Sequence, residues 1–395
     1  MLAQTFHRLD DLLWEYRQWW QFQPFHTIHS RWQSRAPTLH AALIDLTPGE
    51  LAIYIGDANR RRLFLQQWIP VADELHRLCQ LPHLQSRSIT NNRQLEHGVG
   101  GRKWDQITAF AGLVPTGQPI VEWCSGKGHL GRLLAADGAT RVDSLERETA
   151  LCKAGEKLAA RAGVTMTFHH CDVLRDQLDG LLSASSHTVA LHACGQLHMQ
   201  LLQQVVARGG QAVSVAPCCY YLIDEERYTP LSIAGQRSGL QLYKSDLHIP
   251  LRETVTGGAR ASRLRSLELR WRLAFDCLQR GLREEDAYLP LPTIPRKYLG
   301  GSATDFIHWA IDRKGLPPAS AVQIDDCLLQ AEARLPALQQ MELVQQLFQR
   351  PLELWLALDR ALYLEENGYQ VVVGEFCERR LTPRNILIQA SRVAA

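Results

Sequence analysis

The chain reads as an α/β protein built on a twisted, mainly parallel sheet, with a helical segment before it and a helical insertion late in it. Three observations predict this. Pro119 to Arg147 runs strand, glycine turn, helix, strand, acid. From Asp105 to Ile223, apolar runs of strand length alternate with helical runs, the rhythm of βαβ units. After residue 366, two more strand-like runs, Tyr369 to Cys377 and Asn385 to Ile388, close the chain. They are joined through Arg379-Arg380-Leu381-Thr382-Pro383, which predicts an antiparallel hairpin.

Residues 1–104 read as a helical N-terminal domain and linker. Phe6, Leu9, Leu13, Tyr16 and Trp20 recur at three- and four-residue steps, an amphipathic stripe. A second helical stretch covers Glu50 to Leu81, entered after Thr47-Pro48-Gly49. Trp14, Tyr16, Trp19, Trp20, Phe22, Phe25 and Trp32 are interleaved with Arg17, Arg31 and Arg35. A small domain's core is the favoured reading of this cluster, and a stacking surface for single-stranded RNA is the competing one. Arg60-Arg61-Arg62 reads as a solvated helix face. Between Ser86 and Trp104 polar residues and glycines break the pattern. Lys103 and Trp104 there either fold over a ligand or belong to a plain linker.

Residues 105–223 hold five strands. A helix over Asp105 to Leu113 leads into Ile120-Val121-Glu122, and Gly126, Gly128 and Gly131 follow in GxGxxG spacing. A helix begins at Leu130, and the second strand, Arg141 to Leu145, ends on Glu146, twenty residues after Gly126. Later strands fall at Met166–His169, Thr188–His192 and Ala212–Ala216, with helices over Thr149–Ala162 and Leu197–Ala207. Glycines let backbone lie against a ligand with no Cβ in the way. The positive end of the next helix suits an anionic group, at about 0.3–1 kcal/mol per charge. A carboxylate at Glu146 can accept two hydrogen bonds from a ribose diol.

Residues 224–352 read as a helical insertion with loops at Leu289–Pro295 and Leu316-Pro317-Pro318. Its start is locally basic: Arg252, Arg260, Arg263, Arg265, Arg270 and Arg272 against Glu253 and Glu268. A solvated helix face is favoured there over a polynucleotide-phosphate patch. Residues 353–395 return to the sheet, a helix over Pro351–Glu366 leading into its last two strands.

Composition narrows the function. At 395 residues the chain is long enough for two or three domains, and 46% hydrophobic with 21% charged residues argues against disorder. A net charge of +2 gives no global basic field, so any nucleic-acid binding must be local. Asp10, Asp11 and Glu15 speak against a signal peptide, and the longest apolar stretch, Gln211 to Ile223, is too short to span a bilayer. Ten cysteines without secretory features read as reduced thiols, so a cytoplasmic protein with no membrane partner is expected. The oligomeric state stays open.

The glycine turn itself narrows the ligand. In a dinucleotide-binding turn the first glycine sits at the strand end, but here Trp123-Cys124-Ser125 separate Glu122 from Gly126. This acid-x-x-x-Gly-x-Gly layout resembles motif I of the class I S-adenosylmethionine methyltransferases, with Cys124 where their pattern has glycine. The resemblance implies the Rossmann-like, seven-stranded class I methyltransferase sheet and S-adenosyl-L-methionine as cofactor. It implies Glu122 helping to hold the methionine amino group, directly or through water, Glu146 at the ribose hydroxyls and Asp172 facing adenine. The competing reading of Asp172 is a helix N-cap. Cys124, Gly126, Lys127, Gly128, Val173, His192 and Cys194 complete the expected cofactor contacts.

Thiols mark four strand ends: Cys124, Cys171, Cys194 and the pair Cys218-Cys219. Cys124, Cys194 and Cys218 would line one rim, but no CxxC pair exists, and no metal is assigned. Cys171 reads as a small buried hydrophobe. LHACGQLH (Leu191 to His198) and APCCYYL (Ala216 to Leu222), together with GKGHLG, resemble the methyltransferase-domain family containing the eukaryotic tRNA acceptor-stem 2'-O-methyltransferases. They are closer to its branch around methyltransferase-like protein twenty-five, as are LDRALYLEE and LTPRNIL, so the likeness spans most of residues 103–391.

The resemblance implies a methyltransferase with RNA as acceptor, at a tRNA ribose hydroxyl or a base, although the family shares no one substrate. His192 and His198 are the candidate bases for a poor nucleophile. Cys218 and Cys219 are candidate nucleophiles toward a pyrimidine, ranked lower because nothing charged adjoins them in sequence. Two alternatives remain: an NAD-dependent oxidoreductase sharing the glycine turn, and a catalytically inactive RNA-binding scaffold of the same fold.

Overall fold

The computed structural model describes residues 1–89, 93–178, 180–182, 185–251 and 259–392. They group into two units. One comprises Met1–Arg17, Glu74–Thr256 and Phe348–Ala395; the other comprises Gln18–Asp73 and Gly257–Leu347.

The first unit holds seven strands: β1 (Pro119–Trp123), β2 (Arg141–Glu146), β3 (Thr167–His170), β4 (His187–Cys194), β5 (Ala212–Cys218), β6 (Tyr369–Glu375) and β7 (Ile386–Arg392). They lie side by side in the order β3-β2-β1-β4-β5-β7-β6. β1 to β5 are parallel to one another, and β7 runs antiparallel to both β5 and β6. This is the Rossmann-like class I methyltransferase sheet that the sequence predicts.

The strand order reverses between β1 and β4, so a crevice opens beyond their carboxyl ends. β5 is buried along its whole length and apolar but for Ser214, as suits a central strand covered on both faces. Pro217 within it has no N–H to give a ladder, and the β4–β5 register slips opposite it, between Leu191 and Cys194. Helices Gly101–Ala111 and His129–Ala136 cover one face, burying Ile107, Phe110, Leu130, Leu133 and Leu134 with Val142, Val189 and Leu387. Each such side chain is worth about 1.5–3 kcal/mol.

The helix Leu2–Glu15 belongs to this unit. Phe6 packs on Trp355 of the helix Gln349–Glu366, ring centroids 5.2 Å apart. Asp10 accepts hydrogen bonds from Trp355 Nε1 at 2.9 Å and Ser238 Oγ at 2.5 Å. The helix ends at Glu15, so Tyr16 and Trp20 of the expected stripe lie beyond it. Divisions at residues 104, 223 and 352 therefore cut the chain differently from this grouping.

In the second unit, helices Ala259–Arg283, Ala303–Lys314 and Ala321–Gln345 enclose Trp271, Phe275, Phe306, Ile307, Ile324 and Leu335. Asp276 is buried between Arg280, at 3.1 Å, and Arg334, at 2.5 Å. Trp20, Phe22 and Trp32 are buried, and Trp19 stacks on Trp32 at 4.9 Å, so these rings serve the core. Arg61 corrects the reading of the arginine triplet. It is buried and donates to the Tyr54 and Ile55 carbonyls and to Gln346 Oε1 at 3.0–3.1 Å. Of the basic stretch, Arg270 pairs with Glu332 and Arg272 with Glu268, while Arg263 and Arg265 stay exposed. Arg252, Glu253 and the side chain of Arg260 lie outside the described residues. No helix among the described residues is long and apolar enough to cross a membrane.

Candidate active site

The turn after β1 depends on left-handed backbone. Gly126 and Gly128 sit at φ 59° and 63°. A Cβ on Gly128 would come within 2.6 Å of the Phe168 ring, and one on Gly131 within 2.4 Å of a Glu122 carboxylate oxygen. A Cβ on Gly126 would meet nothing within 4 Å, so that glycine faces open space. Cys124 adopts φ 53°, the conformation that the missing glycine would have supplied. The cysteine therefore keeps the turn and carries strain of about 1 kcal/mol.

Glu146, at the end of β2, reaches back to this turn. Its Oε2 accepts from the Gly126 N–H at 2.8 Å and its Oε1 from the Glu148 N–H at 2.9 Å. Each oxygen keeps a further lone pair. Glu146 shares the wall of a pocket of about 340 Å³ with Cys124, Cys171, Asp172, Val173, Leu174, Cys194, Leu197 and Asp224. Ser125, next to Cys124 on the turn, has a buried hydroxyl with no partner among the described residues. Asp172 Oδ1 accepts from the Leu174 N–H at 3.1 Å, closing a turn; no helix follows, so the N-cap reading fails. Lys127 stands exposed on the turn.

Glu122 departs from expectation. It is buried beneath the turn, accepting from Ser144 Oγ at 2.9 Å and from backbone N–H groups of Gly131 and Leu130, and it does not line the pocket. Burial pushes its carboxyl up to about 7 against those hydrogen bonds. It braces the glycine turn from below.

The two histidines separate. His192, at φ 66° in the β4 bulge, donates from Nε2 to Gln106 Oε1 at 3.0 Å, and Gln106 Nε2 donates to the Leu381 carbonyl at 2.7 Å. That chain of bonds assigns the proton to Nε2 and leaves Nδ1 as the ring's acceptor. Burial, helped by Lys103, pushes His192 down to about 3, so the ring is neutral but a weak base. His198 is wholly buried, its Nδ1 2.9 Å from the Ala193 carbonyl and its ring edge-on to Tyr220. It does not reach the rim, and its expected role as a base falls with that.

The thiols converge more than the sequence indicated. Cys194 Sγ lies 3.3 Å from Cys218 Sγ, and with Cys219 the three sulfurs lie within 4.8 Å of one another. Hydrogen bonds from its two neighbours push the Cys219 thiol down, with the charge of Arg384 assisting. Arg384, from the loop before β7, is the cation that no residue adjoining the pair in sequence supplies. Burial pushes Cys124 up to about 12 and Cys171 up to about 11, which leaves both inert as thiols.

The family model described as a methyltransferase domain matches residues 102–226. The match covers less than a third of the chain. Every residue lining the pocket falls inside the match, whereas Leu381 and Arg384 are brought to it from outside. A curated relative, a glutathione S-transferase C-terminal domain-containing protein of Xenopus laevis, is 28% identical over 119 residues, 30% of this chain and 18% of that one. The chain thus spans less than a fifth of that relative.

Solved structures with some likeness include the Pyrococcus abyssi tRNA (uracil-54, C5)-methyltransferase in complex with S-adenosyl-L-homocysteine. It is 17% identical, covering 34% of this chain and 31% of that one, at a TM-score of 0.25. A second is the Pyrococcus horikoshii protein described as a putative RNA methyltransferase, 13% identical over 38% of this chain and 72% of that one, at a TM-score of 0.26. Likenesses of this degree carry no argument about what residues 102–226 do.

Sequence reasoning missed Ser144 under Glu122 and Gln106 behind His192; both are ordinary polar residues with no motif to mark them. Lys103 acts electrostatically on His192, Glu122, Cys194 and Cys218, a role for which its place in a glycine-rich stretch was the one available signal.

Proposed function

We propose that this domain binds S-adenosyl-L-methionine in the pocket beside the glycine turn and transfers its methyl group. The observation that carries the reading is the joining of Glu146 to the Gly126 N–H at the wall of a pocket that also exposes Asp172 and Val173. The residues present fit the cofactor. Gly126 leaves open the space a Cβ would fill, the Ser125 hydroxyl lacks a partner among the described residues, and Glu146 retains lone pairs for a ribose diol. Asp172 and Val173 offer a polar and an apolar contact for adenine. Glu122 acts through the turn it supports.

When bound, the cofactor supplies an already activated methyl on a sulfonium. The chain's part is to hold donor and acceptor in line, which is worth up to about 7–11 kcal/mol. His192 accepts a proton only weakly, which favours an acceptor needing little base assistance over an unactivated ribose hydroxyl. RNA is the acceptor class the sequence resemblance supports, and a ring nitrogen with a free lone pair within it suits His192 better.

Calorimetry with S-adenosylhomocysteine tests the reading, with Gly126→Arg as the blocked control. Saturable binding to the wild type and none to the variant is expected. Equal heats from both proteins, or saturable binding of NADH in place of S-adenosylhomocysteine, would overturn it.

A further inference from the structure

We propose that Cys194, Cys218 and Cys219 form a metal site for a zinc-class ion, bound by three thiolates with a fourth position open. Two sulfurs held at about 2.3 Å from a tetrahedral zinc lie about 3.8 Å apart. The 3.3 Å between Cys194 and Cys218, and the limit of 4.8 Å enclosing all three sulfurs, bracket that spacing.

The backbone is bent to make this meeting. His192 at φ 66° and Cys219 at φ 45° are two of the four non-glycine residues with positive φ among the described residues, and they flank the thiols on β4 and β5. Between them the β4–β5 register slips and restarts with Cys194 paired to Cys218. Gly195 follows at φ 54° with no room for a Cβ, which would lie 2.1 Å from the Leu222 carbonyl oxygen. Strained backbone of this kind persists where it does something beyond packing.

Charge agrees. Three thiolates around a divalent ion leave one net negative charge. Lys103 acts on Cys194 and Cys218, and Arg384 acts on Cys219, so cations adjoin the cluster on more than one side. A disulfide fits less well, because three thiols cannot all pair and no two are held at bonding distance. Cys194 also lines the pocket beside the glycine turn, so the cluster borders it and the fourth position is available to water or an acceptor atom.

The test is metal analysis of the full chain purified reduced, then stripped by chelator and retitrated with zinc and, separately, cobalt(II). About one zinc per chain is expected, with a sulfur-to-cobalt charge-transfer band on cobalt loading. Cys194→Ser, Cys218→Ser and Cys219→Ser should each lower zinc content at least about tenfold. Cys277→Ser, in the second unit, should leave it unchanged. The cobalt spectrum of the wild type decides the matter if the cysteine variants do not fold. A reduced wild type that takes up no zinc, a cobalt spectrum without thiolate bands, or a disulfide among the three thiols would overturn the site. These readouts are independent of S-adenosylhomocysteine binding, so either proposal can fail alone.

Discussion

At the residue scale, the site depends on a few side chains held in unusual settings. Cys124 keeps left-handed backbone without being glycine. Cys124→Gly should therefore raise stability or leave it unchanged, while Cys124→Val, β-branched at the same φ, should lower it by about 1–3 kcal/mol. Urea unfolding of the two variants checks this, and an equal loss in both would show that the thiol's packing outweighs its backbone. Glu146 holds Gly126 and faces the pocket at once. Glu146→Ala should weaken S-adenosylhomocysteine binding about 10- to 100-fold by calorimetry, the range for hydrogen bonds to a charged group. The glycine spacing and Glu146 are legible in the sequence because a tight turn and a strand-end acid need particular residue types at fixed distances. The burial of Glu122 and His198 is not, since the same letters suit a pocket wall or a core.

At the element scale, the helix Gln349–Glu366 is buried along nearly all its length, and its polar side chains must find partners inside. Asp359 does so by accepting from the Leu231 N–H at 3.0 Å, the Ser232 N–H at 2.9 Å, Ser232 Oγ at 2.7 Å and the Tyr228 hydroxyl. One carboxylate thus pins the irregular segment after β5 to the helix. Asp359→Ala should destabilise the protein by about 3 kcal/mol or more, because four buried donors lose their acceptor. Tyr228→Phe, which removes one donor, should cost about 1 kcal/mol. Denaturant midpoints for the pair give the comparison; a loss under 1 kcal/mol for Asp359→Ala would mean the segment finds other acceptors. Helix periodicity marks this element in the sequence. Its burial all round does not follow from periodicity, because the partners on its polar side are far away in the chain.

At the scale of the molecule, buried histidines set the response to acid. Burial holds His129 and His187 near 4 and His192 near 3, and it pushes His198 well below the usual imidazole value. The unfolded chain takes up these protons near pH 6.5, where the folded chain refuses them. Their contribution is therefore fully present above about 6.5 and is lost as pH falls toward about 4. Glu122 has the opposite sign: with its folded value raised to about 7, its contribution falls as pH rises from about 4.5 to 7, offsetting one of the four. Thermal unfolding should thus give a distinctly lower Tm at about pH 5 than at about pH 7.5, and Glu122→Gln should steepen that loss. A flat Tm across this range would contradict the burial of the histidines.

The sequence by itself determined the seven strands, their succession with helices and the glycine turn with its acid, because periodicity and turn chemistry are local. Only the tertiary structure decided which residues meet. It brought Cys194 on β4 to Cys218 at the end of β5 and Cys219 just after it, brought Arg384 to them, split the N-terminal hundred residues between two units and hid Glu122 and His198. Those outcomes depend on packing between segments distant along the chain, and no local pattern encodes that distance.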